Sequence, residues 1–547
     1  MNRIGKLVYT ASLLSLPFLT FAQNSKDEKP KDNWQNLDLK SDGVFGISTE
    51  KAYKELLKGK NSSPVIVSII DGGIDEEHED LKKIMWVNSK EIPGNGIDDD
   101  KNGYIDDING WNFIGSAKVN IHHDNMELIR LINKYQPKYA SALNSTPFNE
   151  KERKEFQLYQ KLVTDYMSRL QSAQMGLQNT MMIKKYLDEI TSSMNNQNPT
   201  LDDLSDFKPS NDMQSQVIKF IKPEIKKSDF KKFYEELLDG IKYYGTEVKY
   251  HLNVDFDPRK DSVGDDYLNS NERIYGNNDI TGPDAEHGTH VAGIVSAIRS
   301  NDIGIKGVAN NVRIMGVRTV PDGDERDKDV ANAIRYSVDN GAKILNMSFG
   351  KSYTWDKKVV DEAIKYAVSK GALLVHAAGN DSKNTEKEDN FPTRLFTDST
   401  GVTMGTADAW IEVGATGWTN DEDLVATFSN FGGKTVDVFA PGVKINSTMP
   451  GSKYKENDGT SMAAPVVSGL AALIWSHYPK LTAIQVKDII MKSVTLVEQK
   501  VKIKEDGDNK RVLLSEISVS GGVVNAYNAL LLAEKTNSSA NAKSKSK

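Results

Sequence analysis

Residues 65–70, Val-Ile-Val-Ser-Ile-Ile, form a nearly unbroken β-branched run that ends in Asp71-Gly72-Gly73. Apolar residues without a polar alternation predict a strand covered on both faces, as in a parallel sheet held between helices. Such a strand needs neighbours of its own kind, joined through helical crossovers. Residues 312–317, 342–347 and 373–377 read as those strands, and residues 328–340 and 356–370 as intervening helices. The expected class is α/β, with a central, mostly parallel sheet flanked by helices. Open sheets of this type meet their ligands at the carboxyl ends of the strands, which places Asp71 for chemistry. Taken alone, Asp71 would read equally well as the opening of a turn.

Gly459-Thr460-Ser461-Met462-Ala463-Ala464-Pro465 precedes apolar residues at helical spacing, Val466, Leu470, Leu473 and Ile474. This predicts a turn entering a buried helix, with Ser461 at the first helical position. A backbone N–H there has no partner inside the helix and can point at an anion. That suits a nucleophile whose attack creates an oxyanion, although an ordinary capping serine explains the stretch on its own. Upstream lies His287-Gly288-Thr289-His290-Val291-Ala292-Gly293. Val291, Ile294, Val295 and Ile298 share one helix face, so His287 falls at a helix start, and Gly293 permits close packing.

In the order Asp71, His287, Ser461, these three stretches resemble the subtilisin-like serine proteases. The resemblance covers roughly residues 60–115 and 270–535, and segments 426–432, 438–442 and 522–526 also match. It implies a subtilisin-like fold and acyl transfer, in which Ser461 attacks the scissile carbonyl. His287 would take and return the proton, and Asp71 would orient His287. It further implies that Asn380, in Ala377-Ala378-Gly379-Asn380, donates its side-chain amide to the oxyanion beside the Ser461 N–H. Ser348-Phe349-Gly350 would pair with the substrate backbone as an added β-strand. His78, His290 and His376 are expected to be structural. The family usually has Ser or Thr directly after the catalytic Asp, so Gly72 is expected to remove one hydrogen bond to that carboxylate.

Asp98-Asp99-Asp100-Lys101-Asn102-Gly103-Tyr104-Ile105-Asp106 matches the first nine positions of a calcium loop. Asp98, Asp100, Asn102 and Asp106 are the expected ligands, with Gly103 allowing the sharp turn. The twelfth position is Asn109 where such loops carry Glu, so a solvated acidic turn is the alternative. Asp80 matches a second calcium ligand of the family, its partner loop lying near Asn301. Calcium would be structural; no catalytic metal or redox cofactor is implied.

Residues 117–255 are rich in Lys, Glu, Gln and Met, and carry apolar residues at three- and four-residue spacing, as at Phe156, Leu162, Val163, Tyr166, Met167 and Leu170. They read as a helical insertion, with one helix starting at Thr146-Pro147, between the halves of a peptidase domain at 46–116 and 256–533. The insertion is expected to be either a lid over the active site or a surface decoration. Arg3 and Lys6 precede an apolar run at 7–21 that ends in Thr20-Phe21-Ala22, the pattern of a signal peptide over residues 1–22. The run is short for a membrane anchor and contains Pro17. Residues 23–45 read as a polar, mobile leader and 534–547 as a disordered tail.

Among 547 residues there is no cysteine, which removes disulfides, thiolate nucleophiles and Cys-based zinc sites. A net charge of −7 gives no basis for nucleic-acid binding. The expectation is a secreted serine endopeptidase, extracellular or periplasmic, acting on protein or peptide substrates without a stable membrane anchor. A secreted esterase is one rival, but the G-x-S-x-G elbow is absent around Ser461. A binding protein on an inactive protease fold is another, but no member of the constellation is missing.

Overall fold

Residues 29–259, 262–398 and 401–545 are described by the computed structural model of the chain. The predicted signal peptide and the first residues of the leader lie outside them. The run at 65–70 forms strand β1 (Val65–Asp71), in which every residue except the half-buried Ile66 is buried. It joins β2 (Gly110–Asn112), β3 (Val312–Arg318), β4 (Ile344–Met347), β5 (Leu373–Ala377), β6 (Trp410–Thr416), β7 (Val438–Pro441), β8 (Thr495–Leu496) and β9 (Gly522–Val523). The sheet order is β8-β9-β7-β6-β5-β4-β1-β3-β2. Every pairing is parallel except that of β8 with β9.

Alternation along β1 shows how the two faces are covered. Val65, Val67 and Ile69 pack into a core with Val291, Ile294 and Val295 of helix Glu286–Ser296 and with Val466 and Leu470 of helix Thr460–His477. Ile66 and Ile70 point the other way, to Val330 and Ile334 of helix Asp327–Asp339 and to Val360 and Ile364 of helix Lys357–Ser369. Parallel pairing puts all carboxyl ends of the central strands on one edge. Asp71 closes β1, Ser348 follows β4 and Asn380 lies just beyond β5.

The segment predicted to be a mobile leader is a fixed part of this unit from Trp34 onward. Trp34 is 2% exposed, Val44 and Phe45 are buried, and Asp38 caps the short helix Leu39–Asp42. Ile47 N donates to Gln35 O, Phe45 N to Trp418 O and the Trp34 indole to Lys444 O, while the Trp34 and Trp418 rings meet edge to face at 6.1 Å. The apolar residues here follow no helical or strand period, which is why the polar average dominated the sequence reading. The tail differs too: helix Ala526–Lys545 continues through residues 534–545.

The predicted insertion begins later than 117. Gly115 bridges to Asn120 and His123 to Asp322, so residues 117–127 belong with the sheet. A separate compact unit spans Leu128–Phe256. Its longest helix, Glu150–Met194, starts after Asn149 in a capping box with Glu152, not at Thr146-Pro147. Ile183, Leu187 and Ile190 of that helix form a core with Val217, Ile221, Phe230, Phe233 and Leu237 from helices Asp212–Lys227 and Phe230–Thr246. Where the chain rejoins the sheet unit, Arg259 forms ion pairs with Asp265 at 2.9 Å and Asp329 at 2.7 Å, all three side chains being at most 3% exposed. Lys328 adds Asp265 and Glu272, both at 2.7 Å. A buried network of this kind adds little net stability but fixes one register, since breaking any member strands a charge.

Trp34 fills a closed site, so Trp34→Ala is expected to destabilise the sheet unit by about 3–5 kcal/mol in urea unfolding. A loss below about 0.5 kcal/mol, the level of a surface change, would contradict this placement.

Candidate active site

Close backbone approach is what sets Asp71 and His287 side by side. Gly288 follows His287 in the first turn of its helix, and a Cβ there would stand 2.2 Å from Gly73 O and 3.1 Å from Asp71 Cβ. Gly73 itself has φ 152°, and its own missing Cβ leaves room for Thr281 O. On the helix's far side, Gly293 lets Thr448 and Ser447 in; their hydroxyls donate to Thr289 O and His290 O. With the helix so held, His287 Nδ1 donates to Asp71 Oδ1 at 2.7 Å. The Asp71 side chain is 3% exposed and that of His287 45%.

Asp71 Oδ1 also accepts from Gly72 N at 2.8 Å, whereas the buried Oδ2 meets no hydrogen-bond donor among the described residues. Gly72 therefore reaches the carboxylate through its amide alone. Desolvation would pull the His287 pKa down, but the Asp71 charge, its hydrogen bond and the charge of Asp284 outweigh it. The large open fraction of the ring weakens the desolvation penalty further, so the pKa stands above the ordinary histidine value of 6.5.

Ser461 is the second residue of helix Thr460–His477, one position later than predicted, after Gly459 at φ 151°. Its amide remains in the first turn, without an intrahelical partner. Its Oγ donates to Ser348 O at 3.1 Å, not to His287. Ser348 Oγ donates back to Ser461 O at 3.0 Å and accepts from Asn346 Nδ2 at 2.9 Å. Rotation of the Ser461 hydroxyl off this carbonyl is needed before it can engage His287, a tightening common on substrate binding.

Asn380 is oriented by a residue that the sequence reading passed over. Thr460 N and Thr460 Oγ1 both donate to Asn380 Oδ1 at 2.9 Å, and Thr460 Oγ1 accepts from Gly379 N at 3.1 Å. Because Oδ1 must face these donors, Nδ2 faces the open side and donates to no protein group among the described residues. Thr460 sits inside the Gly-Thr-Ser motif, so the signal was present but its role was not.

In the segment Ser348-Phe349-Gly350, Ser348 is buried, Phe349 meets His376 edge-on at 6.3 Å, and Gly350 is exposed beside Asn390. Asp71, His287, Ser348 and Phe349 line one open cleft of about 470 Å³, together with His122, Asp284, Glu286, Arg318, Asp322 and Lys455. His290 is buried with Nε2 on Lys455 O, and burial pulls its pKa down to about 4. His376 is buried with Nδ1 on Glu412. Both have the environments expected of structural histidines.

The predicted calcium loop takes a different form from the expected one. Asp98 and Asp100 gather with Glu91, one carboxylate oxygen of each lying within 4.8 Å of the others. Asp106 turns away: its two oxygens accept Gly94 N at 2.9 Å and Gly96 N at 2.8 Å. Glu91 stands with Asp98 and Asp100 instead, its own oxygens accepting from Asp100 N at 3.0 Å and Asp106 N at 3.1 Å. Asn102 Oδ1 accepts from Tyr104 N, and Asn109 donates to Trp86 O. Three converging carboxylates are a hard-oxygen donor set that fits calcium. Asp80, the second family position, accepts from Asn301 Nδ2 and from Tyr454 OH.

A parallel sheet with an aspartate, a helix-borne histidine and a helix-borne serine at its carboxyl edge defines the class. A family model described as the subtilase family matches residues 62–512, and the chain belongs to that family. It is 40% identical over 192 residues to a thermophilic serine proteinase of Bacillus sp. (strain AK1), covering 35% of this chain and 43% of the relative. It is 36% identical over 214 residues to subtilisin E of Bacillus subtilis (strain 168), covering 39% and 51%. The chain thus spans about half the length of these relatives. A solved protease of Pseudoalteromonas arctica PAMC 21717 aligns with a TM-score of 0.39 at 26% identity, over 47% of this chain and 78% of that one.

If His287 is the base, hydrolysis is expected to rise with pH as the imidazolium loses its proton, with a midpoint above 6.5 because the pKa is raised. Asp284→Asn, which removes one raising charge, is expected to move the midpoint down. A rate independent of pH from about 5 to about 9, with chemistry limiting, would contradict that role.

Proposed function

We propose that the protein is a serine endopeptidase that hydrolyses peptide bonds by acyl transfer. The observation that carries this reading is the 2.7 Å bond between His287 Nδ1 and Asp71 Oδ1, at the same sheet edge as Ser461 and Asn380. Asp71 holds the proton on Nδ1, which leaves Nε2 with the lone pair that a general base needs. Ser461 Oγ leaves Ser348 O, transfers its proton to Nε2 and bonds to the carbonyl carbon. Asn380 Nδ2 and Ser461 N–H receive the oxyanion, and the imidazolium then protonates the leaving amine. Water repeats the sequence on the acyl-enzyme, releasing the acid and restoring Ser461. Ser348 to Gly350 align the substrate backbone as an added strand.

The substrates are proteins or peptides. The protein is exported, a reading supported by the basic residues and apolar run at its start. No helix among the described residues is long and apolar enough to cross a membrane. Glu91, Asp98 and Asp100 hold a structural calcium ion, which carries no step of the reaction.

Ser461→Ala is expected to abolish casein and peptide cleavage while leaving the thermal transition in place. Asn380→Ala is expected to lower kcat by about 10²–10³, the range known for this donor in subtilisin itself. Full hydrolysis by Ser461→Ala would overturn the assignment, and activity on esters but not on casein or peptides would favour the esterase reading.

Calcium removal by chelation is expected to lower the melting temperature, since an ion bound only to the folded state stabilises it by mass action. The double variant Asp98→Asn, Asp100→Asn is expected to lose this sensitivity. Unchanged melting of the parent protein in chelator would leave the loop as a solvated acidic turn.

A further inference from the structure

His122, His123 and Asp322 converge at the cleft that contains Asp71 and His287. Consecutive residues in extended backbone point to opposite sides, yet the imidazoles of His122 and His123 are stacked, with centroids 4.1 Å apart and planes 24° apart. His123 Nδ1 lies 2.8 Å from Asp322 Oδ2. One ring nitrogen of each histidine and one oxygen of Asp322 all fall within 4.8 Å of one another. The backbone holds this arrangement: Asp322 N donates to His122 O at 2.8 Å, Asp124 N donates to Asp322 O at 2.9 Å, and the buried Arg318 donates to Ile121 O.

We propose that His122, His123 and Asp322 form a zinc site on the substrate cleft, and that zinc bound there slows peptide hydrolysis. Two imidazoles and one carboxylate are a borderline-soft donor set that favours zinc over calcium or magnesium, and three protein ligands leave a fourth position for water. Tetrahedral bonds of about 2.0–2.2 Å put donors roughly 3.4 Å apart. To reach that spacing the three side chains, which are 38%, 24% and 41% exposed, must draw in by the order of 1 Å.

Two physical effects follow from a dication there. It occupies volume in the cleft beside His287 and the Ser348 segment proposed to align the substrate, because His122 and Asp322 share that lining. It also opposes the positive charge that His287 acquires during catalysis. Asp284, 3.9 Å from His122 Nε2, supports that charge, and the ion would cancel its field. The site adds a control to the proposed hydrolysis but does not depend on it for binding.

The test has two arms, both on the full chain with calcium in excess. Calorimetric titration of zinc into Ser461→Ala reads binding without turnover. One zinc per chain is expected, and affinity should fall by at least about tenfold when His122→Gln and His123→Gln are added, or when Asp322→Asn is added as a separate change that spares both rings. In the second arm, peptide hydrolysis by the parent protein should fall over the same zinc range and recover with a zinc-selective chelator. The histidine double variant should retain its own zinc-free rate. Absence of binding, or binding indifferent to both sets of substitutions, would overturn the site. Binding without slowing would overturn the control. An inactive parent protein that still bound zinc through these residues would uphold the site and count against the protease reading instead.

Discussion

Everything at the sheet edge depends on how closely the His287 helix approaches β1. The 2.7 Å bond from His287 Nδ1 to Asp71 Oδ1 exists only because Gly288 has no side chain to meet Gly73 O and Asp71 Cβ. A methyl group at Gly288 would drive the helix outward and break a bond that has no spare length. The parallel order of β5-β4-β1-β3 then does the rest. It brings Asp71, Ser348 and Asn380 to one edge, where the first turn of the Ser461 helix faces them.

Polar groups around the site are fixed by a short chain of hydrogen bonds through Thr460. Its amide and hydroxyl both hold Asn380 Oδ1, so the donor that faces the cleft is set before any substrate arrives. In the proposed role of Asn380 such preorganisation would make the oxyanion donor effective, since no reorganisation is required as charge develops. Ser461 is less prepared, its hydroxyl resting on Ser348 O, and the buried Asp71 Oδ2 meets no donor among the described residues. In the proposed mechanism the two ends of the relay are thus tuned differently: a firmly held pair at Asp71 and His287, and a Ser461 hydroxyl that must turn to join it.

The sheet was legible, and the stretches around Asp71, His287 and Ser461 stood out, because their signals are local. A run such as residues 65–70 can be covered only on both faces, and the motifs around His287 and Ser461 pack several constraints into seven residues each. What the sequence hid was long-range or aperiodic. Trp34 anchors the supposed leader through partners near 418 and 444, more than 380 residues away, and no local period marks it. Glu91 joins Asp98 and Asp100 from outside the loop motif, and Asp106, although at a motif position, is drawn to Gly94 and Gly96. The stacking of His122 on His123 depends on backbone hydrogen bonds to Asp322, some 200 residues on, which no spacing rule conveys.

The central claim is that Ser461 is a nucleophile activated by His287, and covalent trapping tests it most directly. An alkyl fluorophosphonate should add once per chain, with intact mass and peptide mapping placing the adduct on Ser461. His287→Ala should retain the fold and slow the addition by orders of magnitude. A folded protein that forms no adduct, or forms one on another residue, would contradict the account.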